Sequence, residues 1–286
     1  MLIGANGQLG QDLIRVLSHD FDITKTDIDQ CDITSLAQVT ELFESNRHDL
    51  VINTAAWTDV PGCETNDRKA FEVNALGAKY VAQNCERASC KLIHISTDYV
   101  FDGQKNKPYI ESDLPAPLNV YGVSKLTGER YVAAYSRKHF IVRTSGLYGI
   151  HPAVGKKSNF VETMLNLAKE KDTIKVVDDE VLTPTFTVHL AQQIKKLIPT
   201  DYYGLYHATS GGACSWYEFT KKIFEIAQVK TKLEKTSVRE FGSPLRRPAY
   251  SVLGNYNLTE RGLDIMKPWE VALADYFLDK ENKLKI

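Results

Sequence analysis

Short apolar runs alternate with amphipathic stretches through the first half of the chain. Leu2-Ile3 leads into Gly4-Ala-Asn-Gly7-Gln-Leu-Gly10, after which Asp12 to Leu17 has helical spacing. Further strands are expected at Phe21 to Thr26, Leu50 to Ala56, Leu92 to Ile95 and Phe140 to Arg143, with helices at Lys69 to Arg87 and from Tyr121 to about Tyr135. Strand and helix taking turns predict an α/β fold of the Rossmann type, a doubly wound parallel sheet, with a smaller C-terminal substrate-binding domain.

After Tyr148-Gly149 the pattern changes. Pro152, Gly155 and the pair Lys156-Lys157 mark a loop and a lobe boundary. We therefore divide the chain into two units, residues 1–150 and residues 151–286, some segments of the second returning to the first. Helices are expected at Phe160 to Lys169, Val188 to Ile198 and Tyr217 to Ala227, and a frayed tail from Glu281. Only three residues precede Gly4, short for a central strand, so a few residues are expected to be missing ahead of them.

Composition narrows the class of function. A net charge of -1 gives no reason to expect a nucleic-acid or membrane partner, and 43% hydrophobic residues support a large core. The five cysteines are scattered without C-x-x-C spacing, which argues for reduced thiols and against structural zinc, and no metal is assigned. With no signal-like or membrane-spanning run, the expected location is the cytoplasm. A homodimer is the commonest assembly for such a protein.

Glycines at 4, 7 and 10 between strand and helix let the backbone turn tightly and bring a pyrophosphate to a helix N-terminus. An ordinary glycine-rich turn is the plainer account; the place at the start of an alternating pattern, with Asp27 or Asp29 downstream, favours a dinucleotide. Those acids favour NADH, whereas Lys25 would suit a 2'-phosphate, so NADPH and NADH both stay open.

A Tyr-x-x-x-Lys spacing occurs at Tyr121/Lys125, Tyr217/Lys221 and Tyr276/Lys280, so spacing alone selects nothing. Tyr121 alone follows a strand and a loop containing Pro115 and Pro117. There a Tyr can protonate a carbonyl while an adjacent ammonium stabilises the phenolate, and Thr97 or Ser96 can bond the oxygen. Packing accounts compete: a surface tyrosine for Tyr121, a strand-end cap for Thr97, solvated charge for Arg246-Arg247, a core residue for His94.

The segments Gly4 to Gly10, Cys31-Asp-Ile-Thr34, Asn53 to Ala56, Ser96-Thr-Asp-Tyr-Val-Phe101, Leu118 to Gly122, Arg143-Thr-Ser145 and Arg246-Arg-Pro248 run from end to end of the chain. In that order they resemble the extended short-chain dehydrogenases/reductases, and within them the branch that reduces the 4-keto group of dTDP-linked 6-deoxy sugars. The resemblance implies a dinucleotide-binding domain, residues 1–150, a mainly sugar-nucleotide-binding domain, residues 151–286, NAD(P)H-dependent reduction with dTDP-L-rhamnose as product, and a catalytic Thr97/Tyr121/Lys125 triad. It implies that Gly4, Asn6, Gly7, Gln8, Leu9, Gly10, Asp32, Ile33, Ala55, Ala56, Tyr121 and Lys125 serve the cofactor. It places Val60, Thr97, Tyr121 and Asn159 at the substrate, and Arg247 is added for the diphosphate. Alternatives are a reductase giving the other 4-epimer, a 6-deoxy-talose, and a non-catalytic NAD(P)-binding regulatory subunit. Many members have Trp where this chain has Gly146, and Gly where it has Leu182; the loop near 182 is expected to take another path.

Overall fold

In the computed structural model, residues 1–45, 47–151, 158–242 and 244–284 are described. The Pro152 to Lys157 boundary loop and the last two residues of the tail lie outside them.

Six strands form one parallel sheet in the order 204–207, 139–144, 91–97, 50–53, 2–3, 25–26. Leu2–Ile3 lies between Lys25–Thr26 and Leu50–Asn53, so the strand order reverses beside it. In open α/β sheets the crevice outside the carboxyl ends at that reversal is where ligands bind. The strands are nearly continuous apolar runs because both faces are covered. One face packs Leu9, Leu13 and Leu17 with Leu190 and Ile194; the other packs Val39, Val81, Ala82 and Val132.

Residues beyond 150 complete this unit. The strand Gly204–His207 pairs with Phe140–Arg143, and the Thr187–Leu197 helix packs on the Gln8–Leu17 helix. The remaining segments build a separate core around Tyr148, Phe186, Phe219, Trp269 and Tyr276.

Several expected elements take a different form. The strand expected over 21–26 is only Lys25–Thr26, at the sheet edge. The helical stretch over 69–87 is broken by a π turn, Glu72–Gly77, between Asp67–Phe71 and Ala78–Arg87. The tail from Glu281 continues the Trp269–Leu284 helix. Leu182 lies in a two-residue strand opposite Cys214, with no left-handed backbone at that position. The loop there has become β structure, which suits Leu as it would not suit a positive φ.

Candidate functional site

A cavity of about 470 Å³ opens at the point where the strand order reverses. Its floor is the turn from Leu2–Ile3 into the Gln8–Leu17 helix. Gly4 has φ +82°, and a Cβ there would come within 2.6 Å of the Thr54 hydroxyl; one on Gly10 would be driven into the Gly4 carbonyl. The turn is thus closed so tightly that backbone alone faces the cavity. The first N–H groups of the helix have no acceptor within it and can receive an anion. These residues fit a dinucleotide pyrophosphate.

Of the positions expected to serve a cofactor, Gly4, Gly7, Gln8, Leu9, Gly10, Asp32, Ile33, Ala55, Ala56, Tyr121 and Lys125 all line this cavity. Asn6 does not; it is exposed, and its N–H donates to Asp27 Oδ2 at 2.7 Å. Asp27 is in the wall and Asp29 is not.

The far end of the cavity holds Thr97, Tyr121 and Lys125. Thr97 ends the Lys91–Thr97 strand and caps the short turn after it, its Oγ accepting from the Tyr99 N–H at 3.3 Å. The Val120–Tyr135 helix begins at Asn119, whose side chain accepts from the Gly122 N–H at 2.8 Å. That cap starts the helix one residue before Tyr121, so Tyr121 and Lys125, a turn apart, face the strand end together. The Lys125 ammonium donates to the Ile95 carbonyl at 2.7 Å.

Electrostatics here are set by burial. Burial pushes the Tyr121 phenol well above its ordinary value; the Thr97 hydroxyl works against that rise, and Asp98 and Cys63 add to it. The phenol is therefore protonated at neutral pH. Burial lowers Lys125 to about 8, with Glu129 opposing. Asp98, which the sequence did not single out, is fully enclosed and accepts from Thr97 at 3.0 Å and Ser145 at 2.7 Å. Burial raises its carboxyl, and its hydroxyl partners pull it back down.

Asp98, Tyr99 and Gly146 also wall a second cavity of about 130 Å³, whose other side carries Glu180, Trp216 and Arg247. Arg247 lies 4.0 Å from the Glu180 carboxylate. Val60 lines the first cavity. Asn159 lines neither: it caps the Phe160–Glu170 helix and donates to the Gly149 carbonyl. Asp98, Tyr99 and Glu180 were missed. For the first two the signal was available in the run Ser96-Thr-Asp-Tyr99, and for Glu180 in the run Asp179-Glu-Val-Leu-Thr-Pro-Thr185, where it stands in place of the Gln common in the resembling family.

The other two Tyr-x-x-x-Lys pairs lie outside both cavities. Tyr276 and Lys280 both bond the Glu162 carboxylate at 2.6 Å, and Tyr217 lies under the Lys235 ammonium. His94 is in the core, one ring nitrogen 3.3 Å from Asn53 Nδ2. All five cysteines are free and buried.

A parallel sheet that reverses beside a closed glycine turn, with a Tyr/Lys helix at its carboxyl edge, defines an oxidoreductase of the extended short-chain dehydrogenase/reductase class. Residues 1–282 match the family described as RmlD substrate binding domain, and the chain belongs to that family. It is 37% identical to the spore coat polysaccharide biosynthesis protein SpsK of Bacillus subtilis (strain 168), over 99% of this chain and 98% of that one. It is 34% identical to the dTDP-4-dehydrorhamnose reductase of Escherichia coli (strain K12), over 96% and 95%. The crystal structure of dTDP-4-dehydrorhamnose reductase from Bacillus anthracis str. Ames in complex with NADP superposes with a TM-score of 0.93 at 41% identity, covering 97% of this chain and 98% of that one. No helix among the described residues is long and apolar enough to cross a membrane.

Proposed function

We propose that this protein reduces the 4-keto group of dTDP-4-dehydro-L-rhamnose to dTDP-L-rhamnose, using NADPH or NADH. The observation that carries the reading is the meeting of Thr97, Tyr121 and Lys125 at one end of a cavity whose other end is a pyrophosphate cradle. Family relatives named for this reaction support it.

Bound reduced nicotinamide supplies the hydride. Gly4, Gly7, Gly10 and the helix start hold the pyrophosphate, with Gln8, Leu9, Asp32, Ile33, Ala55 and Ala56 around the nucleotide and Asn6 acting at its edge through Asp27. Tyr121 gives its proton to the sugar oxygen as negative charge builds there. The Thr97 hydroxyl turns from Asp98 to that oxygen and orients it. Lys125, fixed by the Ile95 carbonyl, supplies positive charge beside the phenolate and holds the ribose.

Val60, Thr97, Tyr121 and Arg247 face the sugar nucleotide, which extends through the second cavity to the guanidinium, a donor suited to a diphosphate. Asn159 shapes this side through the helix it caps. Residues 151–286, apart from the segments that join the sheet, carry the substrate. We place the enzyme in the cytoplasm without a nucleic-acid or membrane partner, as a homodimer.

The test follows nicotinamide absorbance with dTDP-4-keto-6-deoxyglucose, with and without a 3,5-epimerase, and identifies the sugar. Epimerase-dependent oxidation yielding dTDP-L-rhamnose is expected. A talose product, or folded protein that binds cofactor but turns over nothing, would overturn the reading.

A further inference from the structure

Behind the reaction centre a buried carboxylate joins the helix of Tyr121 to two strands of the sheet. Tyr121, Lys125 and Glu129 follow at four-residue intervals on the Val120–Tyr135 helix, share one face, and are all buried. Glu129 does not line the cavity. Its Oε1 accepts from Ser96 Oγ at 2.5 Å and Arg143 Nε at 2.8 Å, and its Oε2 accepts from Arg143 Nη2 at 2.6 Å. Ser96 and Arg143 are register partners in adjacent parallel strands. Ser96 stands between Ile95, whose carbonyl takes the Lys125 ammonium, and Thr97.

Arg143 is itself held in place. Its guanidinium lies 5.1 Å from the centre of the Phe101 ring, and its Nη1 is 3.5 Å from His207 Nε2. Burial and then Arg143 push His207 down to about 3, so the ring is neutral. Its Nδ1 faces the Tyr109 and Gly254 carbonyls and carries the proton, leaving Nε2 to accept from Arg143.

A buried ion pair gives little net stability over an apolar pair of the same volume. This one is placed one turn beyond Lys125 and bonded to the residue beside Thr97. We propose that Glu129, clamped by Ser96 and Arg143, is a positioning residue that holds Lys125 and the Ile95–Thr97 strand end in register with Tyr121. The proposal rests on the reading of Tyr121 and Lys125 as the working pair.

The charged and titratable groups around Lys125 are Tyr121 and Glu129 on its own helix and His94 and Asp98 on and after the Lys91–Thr97 strand, with Arg143 on the next strand reached through Glu129. Burial and Lys125 keep His94 neutral. Glu129 attracts the ammonium. Glu129→Gln keeps the shape and removes that attraction, so Lys125 gives up its proton at lower pH.

The experiment compares Glu129→Gln, the double variant Glu129→Gln/Arg143→Met, and Tyr121→Phe with the parent. It reads kcat and kcat/KM against pH, and NADH affinity against pH by fluorescence. For Glu129→Gln the alkaline limb of both profiles is expected to move down by about one unit, with kcat lower by on the order of tenfold to a hundredfold. In the double variant, which removes both buried charges, kcat is expected to stay low.

A folded Glu129→Gln with the parent's profile and kcat overturns the proposal. If that variant does not fold, a double variant with the parent's kcat overturns it equally. Tyr121→Phe separates the two readings: retained turnover there brings down the Tyr121/Lys125 pair and this proposal with it. Lost turnover there, beside an unchanged Glu129→Gln, brings down this proposal alone.

Discussion

Gly146 and Leu182 occupy one volume. Gly146 has φ +54°, and a Cβ built on it would stand 2.8 Å from Leu182 Cδ1. The two departures from the pattern of the resemblance, Gly where many members have Trp and Leu where they have Gly, therefore meet in space. Leu182 fills the space a side chain at Gly146 would take and lines the second cavity.

Gly146→Trp alone should be destabilising by about 1–3 kcal/mol, because it combines a left-handed backbone with overpacking. Adding Leu182→Gly should recover part of that loss, a coupling expected for residues in contact. Thermal unfolding of the two single variants and the double measures it. Strictly additive effects would show that the two positions do not share the volume.

Tyr121→Phe removes the proton donor and little else, since the ring keeps its edge-on contact with Tyr99 at 5.6 Å. Turnover should fall by about 10²–10⁴-fold, while cofactor affinity stays close to the parent's. Stopped-flow measurement of a single turnover checks this, and undiminished turnover would remove Tyr121 from the mechanism.

Lys125 is lowered to about 8 by burial. As pH rises through that value the ammonium is lost, so kcat/KM should be flat below it and decline above it, kcat/KM reporting groups of the free enzyme. The sign for stability is opposite. The unfolded chain keeps this lysine protonated to higher pH, so between about 8 and the ordinary lysine value of roughly 10.4 the group's unfavourable contribution is relieved as pH rises. A pH profile that holds activity well past 8, with cofactor saturating, would show that the neutral amine suffices.

What the sequence made legible and what it hid follow from how far each signal reaches along the chain. Tyr121 and Lys125 are four apart on one helix, and the glycines at 4, 7 and 10 lie in one turn, so both could be read locally. Spacing could not rank the three Tyr/Lys pairs; position did, and the Tyr276/Lys280 pair proves to be held by Glu162. Asp98 meets Ser145 across 47 residues, and Glu180 meets Arg247 only through the packing of the second half. No local pattern announces such contacts. The strand Gly204–His207 escaped notice because its partner, His139–Thr144, precedes it by two helices and a lobe. Asn159 shows the opposite limit: Asn is a favoured helix cap, and its side chain is spent on that role here.

The last expectation concerns the choice between the two nicotinamides. Asp27 follows the Lys25–Thr26 strand and lines the cavity, its carboxylate fixed by the N–H groups of Asn6 at 2.7 Å and Ile28 at 2.9 Å. An acid there accepts from ribose hydroxyls and repels a 2'-phosphate. Lys25, the residue that could have balanced that phosphate, is not in the wall; among the described residues the cavity's lining includes a single cation, Lys125, at the reacting end. NADH should therefore bind more tightly than NADPH, by about tenfold, equivalent to about 1.4 kcal/mol. Asp27→Ala should narrow the ratio by weakening NADH and relieving repulsion of NADPH. Dissociation constants from nicotinamide fluorescence decide it. Tighter binding of NADPH to the parent protein would move the determinant of choice away from Asp27.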